Sequence, residues 1–267
     1  MFDAFYSLSA MPFTRDIQTD KLFETTSYSA LQDRLSYAVR SRLFCVVTGD
    51  VGTGKTTAIR KFTLSLDQNR YSIFYMSDSN LTPRNFYHDA LQQAGCTPKF
   101  YRGDAKRQLQ KEFASLVEVE HKSPVVIVDE AHLLSRAMLE EIRFLLNLKM
   151  DSYSPLSLIL VGQSELKDCL KLKINEAISQ RVGVRFHLPT MSKDETLGYI
   201  RSHLKAAGCV SELFTEAAMS VIHEYCGGVA RMVNNVCTAC LLAGASKNER
   251  LVDDHLVRDV ITLEFEM

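Results

Sequence analysis

Eight consecutive residues, Gly49-Asp50-Val51-Gly52-Thr53-Gly54-Lys55-Thr56, constrain this chain more than any other stretch, because they fill every fixed position of the GxxxxGK[ST] phosphate loop. The pattern carries weight only between a strand and a helix, and both flanks comply. Leu43 to Thr48 is a short apolar, β-branched run that reads as a buried strand, and Lys55 to Leu66 carries apolar residues at helical spacing. The glycines let the backbone curl so that its N–H groups and the helix N-terminus face an anion. Lys55 would reach the β- and γ-phosphates of a nucleotide, the Thr56 hydroxyl would ligate Mg²⁺, and Thr57 would close the cradle.

Such a loop needs an acidic strand to hold the metal. Downstream, Pro124-Val125-Val126-Ile127-Val128-Asp129-Glu130 supplies an apolar run ending in two carboxylates. Asp129 at the strand's C-terminal end would hold Mg²⁺ through water, and Glu130 is placed to accept a proton from an attacking water. Two consecutive carboxylates favour hydrolysis over nucleotide sensing alone.

A chain of 267 residues, 46% of them hydrophobic, suits one α/β domain of about 150 to 190 residues plus a smaller subdomain. Its apolar runs are only a few residues long, against the roughly 18 that a membrane span requires, and Met1-Phe2-Asp3 opens no signal-peptide pattern, so a cytoplasmic location is expected. Seven scattered cysteines fit reduced thiols better than a disulfide framework. Cys237-x-x-Cys240 has a metal-ligand spacing, but no second CxxC or HxxxH accompanies it, and it lies in a helical run of small apolar residues that reads as core. The net charge of −1 gives no global argument for nucleic acid.

Strand and helix patterns alternate, which implies a parallel sheet with helices on both faces. Strands are expected at 43–48, 72–77, 125–129, 157–162 and 184–188, and helices at 28–40, 55–66, 84–94, 105–120, 136–149 and 174–180. After Leu188-Pro189 the β signal stops. Ser192-Lys193-Asp194-Glu195 is a capping box starting a helix to about Ala207, and helices at 215–224, 229–245 and 253–263 complete a small bundle. The expected domains are therefore an N-terminal segment plus α/β core over 1–189 and a helical lid over 190–267.

A phosphate-loop core followed by a helical lid resembles the AAA+ architecture, and that resemblance assigns further roles. Gln163, after the strand Leu158-Ile159-Leu160-Val161-Gly162, takes the place of sensor 1 and would orient the attacking water. Arg181 in Ser179-Gln180-Arg181 stands where an arginine finger stands, with Arg185 as its rival; a finger supplied in trans would put the ATP site between subunits of a homo-oligomer. Arg231, in Gly227-Gly228-Val229-Ala230-Arg231, takes the place of sensor 2.

The closer resemblance is to the ExeA family. Phe5-Tyr6-x-Leu8-x-x-x-Pro12-Phe13, the phosphate loop, Asp129-Glu130-Ala131-His132-Leu133-Leu134, Leu145-Leu146-Asn147-Leu148, Leu160-Val161-Gly162-Gln163-Ser164-Glu165-Leu166 and Gln180-Arg181-Val182 carry it over nearly the full chain. One group in that family comprises secretion ATPases with a transmembrane segment and a peptidoglycan-binding domain, neither of which this sequence contains. The other comprises short soluble ATPases similar to the TnsC and IstB regulators of transposases. The resemblance implies an ATPase that uses ATP and Mg²⁺, oligomerises as a ring or filament on duplex DNA, makes no membrane contact, and recruits or activates a transposase. A secretion-assembly ATPase and a nucleotide-dependent scaffold are the alternatives.

The local candidate for a DNA contact is Lys99 to Lys111. Lys99, Arg102, Lys106, Arg107 and Lys111 there stand against Asp104, with Phe100 and Tyr101 alongside and Arg84 as a lesser neighbour. The competing reading is an amphipathic helix with a solvated basic face. Asp129-Glu130-Ala131-His132 also spells a helicase box. A helicase of that type needs two tandem ATPase domains, and no second parallel-sheet pattern follows Leu188. His132 then reads as a residue of the turn after the acidic strand, placed to couple the phosphate state to the next helix.

Overall fold

The computed structural model describes residues 2–14, 17–145 and 154–266. In chain order its helices and strands are α1 (Phe2–Phe5), α2 (Thr26–Arg40), β1 (Phe44–Thr48), α3 (Lys55–Ser65), β2 (Tyr71–Met76), α4 (Pro83–Gln93), α5 (Arg102–Glu118), β3 (Ser123–Val128), α6 (Arg136–Leu145), β4 (Ser157–Gly162), α7 (Ser164–Lys171), α8 (Glu176–Ser179), β5 (Val182–His187), α9 (Lys193–Ala206), α10 (Glu216–Cys226), α11 (Ala230–Lys247) and α12 (Asp254–Glu264). The expected helix at 174–180 is a single 3₁₀ turn, Lys173–Asn175, running into α8. Helix α7 has no counterpart among the sequence expectations, and positions 146–149 of the helix expected at 136–149, with Leu146-Asn147-Leu148 of the family motif, lie outside the described residues.

The chain divides into two compact units, one made of residues 28–50 and 55–188, the other of residues 1–27, 51–54 and 189–267. These units cut the chain differently from a single boundary at 189, since the N-terminal segment clusters with the C-terminal helices.

In the α/β unit five parallel strands lie in the order β2-β3-β4-β1-β5. Successive side chains of a strand point to opposite faces, so a strand covered on both sides reads as an unbroken apolar run. β3 shows this: Val126 and Val128 enter a core with Phe74, Phe86, Leu109 and Ile142, while Val125 and Ile127 enter a second core with Leu31, Ile59 and Phe62. Because β4 lies between β1 and β3, the phosphate loop after β1 and the acidic turn after β3 open at the same carboxyl edge, where open α/β sheets hold ligands.

In the helical unit Ser192 caps α9 as expected. Its hydroxyl accepts from the Glu195 N–H at 3.3 Å, and Glu195 Oε2 accepts from the Ser192 N–H at 2.9 Å. The isolated aromatics of the N-terminal segment finish this core. Phe2, Tyr6 and Phe13 are buried there, and Phe13 stacks on His203 at 5.4 Å between centroids. Cys237 and Cys240 are buried in the same core, and burial pushes the Cys240 thiol up to about 12. Among the described residues no helix is long and apolar enough to cross a membrane.

Gly228 fixes how α11 begins. Its φ is +74°, and a Cβ there would fall 1.9 Å from Met191 O, on the same stretch where the Met191 N–H donates to Gly228 O at 3.0 Å. Gly228→Ala should therefore destabilise the helical unit by on the order of 3 kcal/mol, read as a lowered midpoint in urea unfolding. His203 supplies a second expectation. It is 4% exposed, and burial lowers its pKa from 6.5 to about 4. The folded state keeps the ring neutral where the unfolded state protonates it, so this contribution is whole above pH 6.5 and is lost as pH falls toward 4. The loss should approach about 3 kcal/mol. Thermal melts at stepped pH should show it in the native protein and not in His203→Leu.

Candidate functional site

The loop from Gly49 to Thr56 leaves β1 and enters α3, whose first N–H groups have no intrahelical carbonyl to donate to. Two glycines make the curl possible: Gly52 at φ +82° and Gly54 at φ +94°, with open space where a Gly54 side chain would stand. Lys55 folds its ammonium over the loop, donating to Gly49 O at 2.7 Å and Asp50 O at 2.8 Å. A cation held above a rim of helix-terminal amides fits a polyphosphate. Asp50 fixes the loop to the next strand end, its Oδ1 accepting from the Ser164 hydroxyl at 2.7 Å at the start of α7.

Asp129 follows β3 and is 3% exposed, so each of its oxygens needs a partner. Oδ1 accepts from the Glu130 N–H at 2.8 Å. Oδ2 accepts from the Thr56 hydroxyl at 2.8 Å and from the Tyr75 hydroxyl at 3.0 Å. Thr56 and Asp129 together present the oxygen donors that suit a hard divalent cation such as Mg²⁺. Burial, and then the Asp129 charge and hydrogen bond, push the Tyr75 phenol far above its ordinary value, so it stays a donor to the carboxylate. Tyr75 itself is held on β2 by Gln93, whose side-chain amide accepts from the Tyr75 N–H at 2.9 Å and donates to Tyr75 O at 3.0 Å.

Glu130 adopts a left-handed backbone, φ +52°, a conformation that costs a non-glycine residue about 1 kcal/mol and turns its side chain out of the strand direction. Its Oε2 lies 3.6 Å from His132 Nδ1, and the same nitrogen accepts from the Gln163 N–H at 3.4 Å. As the acceptor of that bond Nδ1 carries no proton, so His132 holds the backbone N–H after β4 while the Glu130 carboxylate lies beside the ring. Lys55, Thr56, Asp129, Glu130 and Gln163 all lie at the carboxyl edge of β1, β3 and β4. Tyr75, His132 and Ser164 complete the network, and sequence reading gave none of them a place in this hydrogen bonding.

The arginines fall differently. Arg181 is half-buried and donates to Arg143 O at 2.9 Å. Arg185 is exposed and donates to the Ser179 carbonyl and, at 3.0 Å, to its hydroxyl. Arg231 belongs to the helical unit with loop residues 51–54, and its N–H donates to Gly52 O at 3.1 Å; a Gly52 Cβ would stand 2.8 Å from Arg231 Cβ.

The basic stretch is smaller than its composition. Lys99, Arg102, Arg107 and Lys111 are exposed, with Arg107 bonded to Asp104 Oδ1 at 2.6 Å. Lys106 leaves the patch, because its ammonium donates to Glu141 Oε1 at 2.6 Å and is withdrawn from solvent into that pair. The Tyr87 hydroxyl donates to the same oxygen at 2.5 Å. Burial raises the Glu141 pKa, but the Lys106 and Tyr87 bonds outweigh it and hold the carboxyl below its usual range.

Residues 39–170 match the family model for the AAA domain. The chain is 30% identical over 259 residues to general secretion pathway protein A of Aeromonas hydrophila, covering 94% of this chain and 46% of that protein, so it spans less than half of that relative's length. Its fold is similar to Cdc6p from Pyrobaculum aerophilum, with a TM-score of 0.72 at 14% identity over 97% of this chain and 70% of that one. It is also similar to Drosophila ORC bound to DNA, with a TM-score of 0.68 at 18% identity over 97% and 64%. The AAA-domain match over residues 39–170 and the five-stranded parallel sheet with its phosphate loop give this chain an AAA+ fold, and 94% of its length is similar to general secretion pathway protein A.

Proposed function

We propose that this protein hydrolyses ATP with Mg²⁺ and uses the nucleotide state to control its own assembly on duplex DNA, where it regulates a transposase. The observation that carries the ATPase reading is the convergence of Lys55, Thr56, Asp129, Glu130 and Gln163 on one edge of the sheet. Lys55 exchanges its two loop carbonyls for phosphate oxygens. Thr56 and Asp129, now bonded to each other, would hold the metal, and Tyr75 and the Glu130 N–H would keep the Asp129 carboxylate oriented. Bound Mg²⁺ would neutralise charge developing on the transferring phosphoryl group. Glu130 takes the proton of the attacking water and Gln163 orients that water, its backbone held by the N–H donated to His132 Nδ1. Arg181 or Arg185 would complete a neighbouring subunit's site, and Arg231, whose N–H donates to Gly52 O of the phosphate loop, would reach the phosphates.

Support for DNA comes from the exposed Lys99, Arg102, Arg107 and Lys111 and from fold likeness to an ORC structure that holds DNA. The transposase is proposed from the motif resemblance to the short ExeA-family regulators. One observation favours a second reading, in which the ATPase assists assembly of a secretion apparatus: the 30% identity to general secretion pathway protein A. ATP turnover with and without duplex DNA, run beside sizing in a non-hydrolysable analogue, separates them. DNA-stimulated turnover and DNA-dependent assembly support the first reading, and turnover indifferent to DNA supports the second.

Glu130→Gln should lower turnover by roughly 100-fold to 10,000-fold while nucleotide binding persists, and Lys55→Ala should lose binding itself; equilibrium titration with a fluorescent ATP analogue checks both. Tyr75→Phe removes one donor from Asp129 and no packing. It should raise the Mg²⁺ concentration for half-maximal turnover by about threefold to tenfold and leave the melting temperature nearly unchanged. A shift in stability with no shift in Mg²⁺ dependence would make Tyr75 merely structural.

A further inference from the structure

The turn from α4 into α5 carries two large aromatic side chains that the fold does not bury. Phe100 is 69% exposed and Tyr101 71%, with their rings edge to face at 5.3 Å. Leaving two such rings in water forgoes burial that elsewhere in this protein fills the core. The turn beneath them is held firmly. Gln108 on α5 bridges it, accepting from the Lys99 N–H at 3.1 Å and donating to Thr97 O at 3.0 Å. The Arg84 guanidinium lies 4.7 Å from the centre of the Phe100 ring, on one of its faces. Lys99 and Arg102 flank the rings in the chain, and the exposed Arg107 and Lys111 follow along α5, Lys111 about 13 Å beyond Arg102, while the carboxylate of Asp104 is engaged by Arg107.

We propose that Phe100 and Tyr101 form a base-stacking tip, so that the nucleic acid this protein prefers carries an unpaired or unstacked base at the point of contact. This rests on the DNA reading above and narrows it. A paired duplex presents its phosphates to the cations and keeps its base faces stacked inside, leaving the two rings without a partner. An unpaired base offers a planar face to Phe100 or Tyr101 and its phosphate to the same cations, the combination that sequence-tolerant single-strand binders use. A membrane surface fits less well, because Pro98, itself partly buried, is the one further apolar residue beside the rings, where Thr97, Lys99, Arg102, Gly103 and Asp104 offer none to insert.

The test is binding of end-labelled 30-nucleotide DNAs by fluorescence anisotropy, with ATP analogue and Mg²⁺ present. The three forms are a paired duplex, a duplex with a central mismatched bubble, and a single strand. The native protein should bind the bubble and the single strand about tenfold more tightly than the duplex. Phe100→Ala/Tyr101→Ala should abolish that preference while duplex affinity stays within twofold, and Phe100→Trp should retain it. Lys99→Ala/Lys111→Ala should weaken all three forms alike and reduce the slope of log affinity against log salt by about 2. Equal affinity of the native protein for all three forms overturns the proposal and leaves duplex binding intact, as does a preference that survives in the double alanine variant. Loss in that variant of binding to phosphatidylserine vesicles, with its DNA preference unchanged, assigns the tip to a membrane and also overturns it. Failure of the native protein to bind any of the three DNAs overturns the DNA reading itself.

Discussion

The buried carboxylate of Asp129 is the constraint around which the α/β unit is organised. A carboxylate this enclosed costs several kcal/mol unless its oxygens are paired, and its partners come from three separate parts of the chain: Thr56 from the start of α3, Tyr75 from β2 and the backbone of Glu130. Their meeting requires the sheet order observed. β2 beside β3 sets Tyr75 opposite Ile127 and Met76 opposite Val128, one pairing short of the Asp129 turn. β4 between β3 and β1 brings the phosphate loop to the same edge. A different strand order would leave the carboxylate buried without its hydroxyl donors, so fold and site are one requirement.

Local patterns made part of this legible. The phosphate loop and the acidic strand each hold their chemistry within a few residues of a strand end, and the apolar runs beside them fixed the strands to within two residues. The cap at Ser192 was legible for the same reason, lying three residues before the N–H group it accepts from, whereas Asp253, read as the first helical residue, is the cap of α12. Tyr75 was not legible. Its role depends on β2 pairing with β3 across 54 residues of chain, and a tyrosine in an apolar strand reads as ordinary packing. Helix α7 is eight residues long, too short for periodicity to separate it from a loop, though it supplies the Ser164 hydroxyl that holds Asp50.

The N-terminal segment shows a different limit. Phe2, Tyr6 and Phe13 stand four and seven residues apart, a helical spacing, yet the helix covers only Phe2–Phe5 and Pro12 precedes Phe13, so the spacing says that something is buried without saying against what. Their partners lie at the other end of the chain. Phe13 stacks on His203 and lies edge to face with Phe214, and the Tyr6 hydroxyl donates to Glu249 O at 3.1 Å. Sequence order assigned the segment to the α/β core, whereas contact assigns it to the helical unit, which therefore closes only when both ends of the chain are in place.

Charge counting failed in one instructive place. Five cations over Lys99 to Lys111 suggest a continuous basic face, but a count weighs every lysine as if it were in water. On α5, Lys106 lies three residues before Leu109 and seven before Phe113, the spacing that shares a helix face, and both of those side chains are core. Its stem follows that face inward to Glu141, and breaking the pair would leave a buried carboxylate with only Tyr87 as donor. Lys106 is thus part of what holds α5 to α6, and what stays in solvent is the α4 to α5 turn with its two exposed rings, Arg84 over one of them, and exposed cations before and along α5. A uniform basic face would track a phosphate backbone without distinction. A basic surface with exposed aromatic rings can also distinguish whether the bases between those phosphates are stacked away or free to be touched.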